Sequence, residues 1–175
     1  MTIKTKGLLT VLTAYTIALF LGLVSLKFSS HYSSMFQILI ADVIATFVIY
    51  SFSVFYKNSS FYDPYWSVIP PFIAFFWLAE NNYIINIPSL LLMISVLFWS
   101  LRLTYNWMKT WEGLHHEDWR YIDMRNNLGS SFEIVGNLGG IHFFPTFIVF
   151  FFVCPWLKIF HNHIIGQFFW DLDYV

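Results

Sequence analysis

Long apolar runs separated by short polar segments form the dominant pattern along the chain. A helix needs about 20 mostly apolar residues to cross the hydrocarbon core of a bilayer, and five runs approach this length. The first follows Lys4 and Lys6 and has no small-residue cleavage site behind it, which favours a retained helix over a signal peptide. The third run contains Pro70 and Pro71, which predict a kink or a tilt. The predicted spans are residues 8–26, 34–56, 66–79, 88–107 and 134–160.

Composition supports the membrane interpretation. Apolar residues make up 58% of the 175 residues and charged residues only 11%, whereas soluble domains carry about 25% charged residues. We therefore expect membrane lipids as partners and an all-α fold, a polytopic transmembrane bundle of about five spans that forms one domain over residues 1–175. The net charge of -1 argues against nucleic acid as a partner. Cys154 is a single cysteine and cannot form an internal disulfide.

The distribution of basic residues predicts the orientation. With the N-terminus in the cytoplasm, seven of the nine Lys and Arg residues lie inside, as the positive-inside rule prefers. We therefore expect a multi-pass protein with a cytoplasmic N-terminus, in the cytoplasmic membrane if the chain is bacterial. The seven are Lys4, Lys6, Lys57, Arg102, Lys109, Arg120 and Arg125.

An acidic residue inside the second span is the first candidate for chemistry. Helical spacing places Thr46 and Ser53 near the side of Asp42, so that this helix has one polar stripe. Ionisable groups in hydrocarbon are costly and usually face the bundle or a water-filled cavity. Two interpretations stay open: Asp42 ties helices together, or it forms the polar wall of a substrate cavity.

The loop before the third span contains a helix start and an aromatic belt. Asp63 is followed by Pro64, a pair that suits the first turn of a helix. Tyr62, Tyr65 and Trp66 lie where interfacial aromatic residues are expected. Local physics alone gives these residues structural roles.

The stretch WEGLHHEDWRY, residues 111–121, is the most polar run of the chain. Read as a helix, it places Glu112 and His116 on one face. A metal site is not favoured, because His115 and His116 point in different directions and no repeated ligand spacing is present. The other interpretations are an interfacial helix with its tryptophans in the headgroups and a hydrogen-bonding cluster that orients a loop or contacts a cofactor. The tryptophans are Trp107, Trp111 and Trp119.

The glycines of GNLGG predict helix packing rather than phosphate binding. No strand precedes them and no Gly-Lys-Ser/Thr follows, so a phosphate loop lacks its context. Gly136 and Gly140 form a GxxxG pattern that lets membrane helices approach closely. Ser130 with Glu133 predicts a capping box before this helix.

Four motifs, in order, resemble one membrane family. They are NSSFYDPYWSVIPP (58–71), RLTYNWMKTWEG (102–113), EDWRY (117–121) and GIHFFPTFIVF (140–150). The chain resembles, from about Asp42 onward, the bacterial domain-of-unknown-function branch of the steroid 5-alpha-reductase superfamily.

This resemblance implies a seven-span type of fold and NADPH-dependent reduction of a carbon–carbon double bond in a lipid, such as a sterol-like substrate or another enone. Isoprenylcysteine-type methyl transfer is an alternative, since those enzymes are similar to the same superfamily. No catalytic residue and no metal is assigned. The substrate-cavity or support candidates are Asp42, Asp63, Tyr65 and Trp66. The candidates at the cytoplasmic mouth are Arg102, Glu117, Asp118, Trp119, Arg120 and Tyr121.

One departure from the family pattern bears on the cofactor. The family continues with further spans and a His-Pro motif that carry most cofactor contacts, whereas this chain contains no His-Pro pair and ends at FFWDLDYV. The chain therefore resembles the N-terminal portion of a longer architecture, and we expect NADPH not to bind it alone. The alternative is a non-catalytic membrane fragment that packs with a C-terminal half or an oligomer partner.

Overall fold

The computed structural model describes residues 2–161, and within them all regular structure is helical, with no strand. This confirms the all-α prediction. The elements are α1 (Ile3–Phe28), α2 (Ser34–Tyr56), α3 (Tyr65–Glu80), α4 (Ile87–Thr110), α5 (Trp119–Leu128), a π-helix (Phe132–Phe143), α6 (Phe144–Val153) and α7 (Trp156–His161). Two short 3-10 turns, Ser59–Phe61 and Gly129–Ser131, connect them.

Local sequence signals explain several helix ends. The Thr2 side chain accepts a hydrogen bond from the Thr5 backbone N–H at the start of α1. Asn86 and Ser89 form a reciprocal capping box at the start of α4, which satisfies two otherwise unpaired N–H groups. Lys57 ends α2 in a left-handed conformation with φ 51. Gly129, with φ 52, ends α5 at a position that glycine adopts at low cost.

Four helical stretches among the described residues are long and apolar enough to cross a membrane. They are Ile3–Phe28, Ser34–Tyr56, Ile87–Thr110 and the run Trp119–Phe160. Helix α3 has 16 residues and continues through Pro70 and Pro71. A multi-pass membrane protein therefore follows from the helices themselves. The stretch FFWDLDYV, where the sequence suggested a further span, lies outside the described residues.

Small residues bring α1 and α2 together. Ala14 and Ala18 of α1 and Ala45 of α2 are buried, and a Cβ added to Gly22 would contact the Ala41 carbonyl oxygen at 3.5 Å. Small side chains let membrane helices approach closely where lipid offers no hydrophobic driving force.

Two buried apolar clusters form the core. One joins α1, α2 and the loop after α2, and it includes Phe61, Tyr65 and Trp111. The other joins α3, α6 and α7 around Trp77 and Phe150. The loop and the segment before α5 are thus anchored to the bundle by aromatic side chains.

The segment after α5 differs from its sequence prediction. Ser130 and Glu133 do not form a capping box, because Glu133 instead contacts Arg125 and Asn137. A Cβ on Gly136 would meet the Leu128 side chain at 2.9 Å, whereas Gly140 is exposed. Close packing therefore involves Gly136 alone, and the paired GxxxG contact is wrong.

Candidate functional site

A buried carboxyl–hydroxyl pair lies at the centre of the bundle. The Tyr65 hydroxyl donates a hydrogen bond to Asp42 Oδ1 at 2.8 Å, and both residues are buried. The Tyr65 ring is held by Tyr15, edge-on at 6.0 Å, and by Tyr62 at 5.3 Å between centroids. Asp42 Oδ2 has no hydrogen-bond partner among the described residues. Two of the sequence-predicted cavity candidates are therefore in direct contact.

A second group of polar side chains continues from α2 to α6. Thr46 Oγ1 lies 3.0 Å from Thr146 Oγ1, which lies 2.7 Å from the Tyr62 hydroxyl. All three residues are buried. Thr46 belongs to the polar stripe of α2 that the sequence predicted, but Thr146 is 100 residues away along the chain, so local spacing gave no signal for this contact.

His142, on the π-helix, is fully buried and has both ring nitrogens in hydrogen-bond contacts. Nδ1 lies 2.8 Å from the Asn137 carbonyl oxygen, and Nε2 lies 3.0 Å from Ser53 Oγ. A carbonyl only accepts, so the Asn137 contact places a proton on Nδ1. The Ser53 hydroxyl lies within hydrogen-bond distance of both Nε2 and the Ile49 oxygen, at 3.0 and 3.1 Å. The described residues thus satisfy this histidine internally.

The candidates that the sequence analysis assigned to the mouth of the bundle dock onto the loop after α2. Glu117 Oε1 accepts from the Ser59 backbone N–H at 2.7 Å and from Arg125 at 3.0 Å. Asn58 Nδ2 donates to the backbone oxygens of Leu114 and His116, each at 3.0 Å. These contacts fasten residues 111–118 to the end of the bundle.

Two further pairs complete the mouth. The Tyr121 hydroxyl donates to Asp63, and burial raises the pKa of Asp63 to about 6. Burial, followed by the nearby Asp63 charge, also raises the pKa of Tyr121. Arg120 forms a two-point contact with Asp118, each distance 2.8 Å, and this hydrogen bonding lowers the pKa of Asp118. Asp118 also caps α5 by accepting from the Arg120 backbone N–H.

Residues 111–118 do not form the helix that the sequence suggested. They are loop and turn, and α5 begins only at Trp119. The run lacks a local apolar stripe and takes its hydrogen bonds from the distant loop around Asn58 instead. Trp111 is consequently buried rather than placed in headgroups, while Trp119 is exposed.

The remaining candidates lie apart from the central pair. Trp66 is exposed and contacts Trp99 of α4, with ring centroids 5.6 Å apart. Arg102 is exposed on α4. Among the described residues, no group of three or more His, Cys, Asp and Glu side chains is arranged to hold a metal ion.

Two apolar cavities border the central pair and together form what we call the α1 groove. The larger has a volume of about 470 Å³ and lies between α1 and the α3–α4 pair; Tyr65 and Trp107 line it. The smaller cavity has a volume of about 290 Å³, and Asp42 is one of the residues that line it. Ala18, Ala45 and Ile69 line both, so the two volumes are neighbours along α1.

Arg120 and Arg125 of the mouth do not offer unpaired cations to the phosphates of NADPH. Such a site normally combines unpaired cations with free N–H groups at a helix N-terminus. Arg120 is already paired with Asp118, and Arg125 with Glu117 and Glu133. The first turn of α5 is capped by Asp118. No chemical step is therefore assigned to the cofactor.

A family model described as "Protein of unknown function (DUF1295)" matches residues 47–172. This chain belongs to the DUF1295 family. DUF1295 is a steroid 5-alpha-reductase-like family, which confirms the resemblance at that level. Asp42 and Thr46 precede the matched residues. No curated protein and no solved structure matches the chain.

Proposed function

We propose that this DUF1295 protein binds a lipid with a conjugated carbonyl group in the α1 groove, as the substrate site of a membrane reductase. The observation that carries the proposal is the Tyr65–Asp42 pair, which lies where the two apolar cavities meet. Sites for small apolar ligands typically combine an apolar wall with a few placed polar groups. An enone, such as a sterol-like ketone, has this distribution of apolar body and single acceptor.

In this proposal Asp42 Oδ2, which has no hydrogen-bond partner among the described residues, is the atom that recognises the ligand's carbonyl oxygen. A carboxyl group in hydrocarbon avoids the cost of an unpaired charge when it carries its proton, and Oδ2–H then donates to the ligand's carbonyl oxygen. Tyr65 holds Oδ1 and so orients the carboxyl. A donor at this oxygen stabilises the negative charge that develops there when the conjugated double bond is reduced.

The family resemblance supports reduction as the reaction, with NADPH as the source of the hydride. Arg120 and Arg125 of the mouth are already paired with carboxylates, so the proposal for this chain concerns substrate binding. Asp42 and Tyr65 take the binding roles, and Asp63 supports the loop through Tyr121.

We also propose that the end of the bundle with residues 57–64 and 111–128 faces the cytoplasm. The Lys4 ammonium donates to the Lys109 backbone oxygen at 2.9 Å, so the basic start of α1 and the basic end of α4 meet. Lys57, Arg120 and Arg125 lie in these same segments. A basic cluster at one end supports a cytoplasmic location.

A binding experiment tests the substrate site. The purified chain in nanodiscs is titrated with a radiolabelled 4-ene-3-ketosteroid and with the matched 3-deoxy steroid, which has no oxygen to accept a hydrogen bond. We expect a preference of about tenfold for the ketone, the worth of one hydrogen bond. Asp42→Leu should abolish this preference, whereas Asp42→Asn, which keeps a donor, should retain part of it.

Tyr65→Phe removes the hydroxyl that orients Asp42 and should weaken the preference. Tyr50→Phe is its matched control, because the Tyr50 hydroxyl donates to the Glu133 backbone oxygen and does not line the groove. Equal affinity for the ketone and the 3-deoxy steroid in the unmodified protein would contradict the proposal. If Tyr50→Phe reduced the ketone preference as much as Tyr65→Phe, the effect would come from the loss of any tyrosine hydroxyl and not from the contact with Asp42.

A further inference from the structure

The end of the α1 groove near Lys4 contains a polar donor that the described residues leave unused. Trp107 lines the larger cavity, and its buried Nε1–H has no hydrogen-bond partner. The neighbouring Trp111 differs: it stacks on Trp107 at 4.9 Å between centroids and donates from Nε1 to the His116 oxygen at 3.0 Å. A buried donor without a partner is unfavourable. A bound acceptor in the groove would therefore stabilise Trp107 Nε1–H, whereas Trp111 Nε1–H already has its partner.

A cation lies at the same end. Lys4 is on the face of α1 that carries Leu8 and Tyr15, since these positions follow helical spacing, and both of those residues line the groove. One N–H of the ammonium group donates to the Lys109 oxygen, which leaves two donors. Among residues 2–161 the ion pairs of Lys and Arg with carboxylates are those of Arg120 and Arg125, so Lys4 is not neutralised by a carboxylate.

The groove is long enough for an extended chain. Its lining residues on α1 run from Thr5 to Leu26, which corresponds to about 31 Å at a rise of about 1.5 Å per residue. That length matches the hydrocarbon thickness of a bilayer. A single extended chain fits this shape, with its head at the Lys4 end.

We propose that the ligand of the α1 groove is a long-chain amphiphile whose anionic head, a carboxylate or a phosphate ester, binds Lys4 and Trp107 Nε1–H. Charge-assisted hydrogen bonds to oxygen anions are the strong ones, and the apolar chain fills the groove beyond them. The inference rests on the proposed function for assigning the groove to substrate. It narrows the substrate class because it sets the distance between the head of the ligand and its carbonyl. Tyr15, which packs on Tyr65, lies about 16 Å from Lys4 along α1. The carbonyl of such a substrate is therefore partway along the chain and not at its head.

The test uses saturated chains without a carbonyl, so that it is independent of the Tyr65–Asp42 pair. The full chain in zwitterionic nanodiscs is titrated with hexadecyl phosphate, palmitate, hexadecanol and hexadecyltrimethylammonium. We expect at least one of the two anions to bind about tenfold more tightly than the alcohol, and the cation to bind no better than the alcohol. A preference confined to one anion identifies the head as a phosphate or a carboxylate.

Substitutions locate the head. Lys4→Gln should reduce binding of the anion to the level of the alcohol, while Lys6→Gln, an equal charge change at an exposed position two residues away, should leave the preference intact. Trp107→Phe should weaken anion binding several-fold, with Trp99→Phe on the same helix as control. Where Trp107→Phe lowers the melting temperature, the lysine pair decides the question.

Three results would overturn the inference. They are equal affinity for anion and alcohol, equal losses in Lys4→Gln and Lys6→Gln, and competition by inorganic phosphate as effective as that by hexadecyl phosphate. If an anion binds tightly but the ketone is not preferred, the head site at Lys4 is supported and the enone site at the Tyr65–Asp42 pair is rejected. If the ketone is preferred but no anion is, the enone site is supported and the head site at Lys4 is rejected.

Discussion

Arg125 joins three segments at the mouth, and its removal should destabilise the protein measurably. Its guanidinium contacts Glu117 at 3.0 and 3.2 Å and Glu133 at 3.1 Å. It also lies over the Phe132 ring, 4.2 Å from the centroid. Glu117 in turn accepts from the Ser59 backbone N–H. Arg125→Met keeps much of the apolar stem and removes the charge and the donors.

The exposure of each partner sets the magnitude. The Glu117 side chain is 11% exposed, so that losing its charged partner should cost about 1.5–3 kcal/mol, the range for hydrogen bonds to charged groups. Glu133 is 44% exposed, and pairs at that exposure contribute about 0–1 kcal/mol. We expect Arg125→Met to lower the free energy of unfolding by about 2–3 kcal/mol.

The assay is reversible unfolding by SDS in mixed micelles, followed by helical circular dichroism. A double-mutant cycle with Glu117→Gln isolates the pair, and we expect a coupling of about 1.5 kcal/mol or more. Arg120→Met is the control: its pair with Asp118 is 60% exposed on the arginine side, which predicts a loss of about 0–1 kcal/mol. Equal losses for the two arginines, or a coupling near zero, would refute the assignment of Arg125 as the link between loop and helices.

Three other predictions concern topology, packing and pH. A cysteine at Asn126 should react only with reagents that reach the cytoplasm, and labelling from the opposite side in intact cells would reverse the orientation. Gly136→Leu should destabilise by several kcal/mol through overpacking, because a Cβ there already meets Leu128 at 2.9 Å, while Gly140→Leu should leave detergent melting almost unchanged; equal effects would contradict the packing. Burial raises the pKa of Asp63 to about 6 in the folded state. Between the unfolded and the folded pKa, Asp63 is therefore protonated in the folded protein and ionised in the unfolded chain. Stability should therefore fall as pH rises from about 4 to 6, and Asp63→Asn should remove that part of the dependence in unfolding titrations; an unchanged slope would exclude Asp63 as its source.

Apolar runs predicted the long helices well because length and hydropathy are local properties. The second predicted span coincides with α2, Ser34–Tyr56. Helical period also placed Asp42, Thr46 and Ser53 on one face, and all three are buried. Such predictions need only residues within a few turns of each other.

The contacts that form the site required the tertiary fold. Asp42 and Tyr65 are on different helices, and Ser53 and His142 are 89 residues apart. The polar run 111–118 was expected to be helical because i, i+4 pairs were the only partners visible in the sequence. Its hydrogen bonds instead go to the Asn58 loop, which the linear pattern does not place beside it.

The proposed substrate site requires a ligand carbonyl to accept a hydrogen bond from the Asp42 carboxyl, which Tyr65 holds. Isotope-edited infrared spectroscopy of a bound ketosteroid with a ¹³C-labelled carbonyl detects this hydrogen bond. We predict that the carbonyl stretch lies at lower frequency in the unmodified protein than in Asp42→Leu, with Tyr65→Phe between them and Tyr50→Phe unchanged. A carbonyl frequency that is the same in all four proteins, and equal to that in a hydrocarbon solvent, would show that Asp42 does not donate to the ligand.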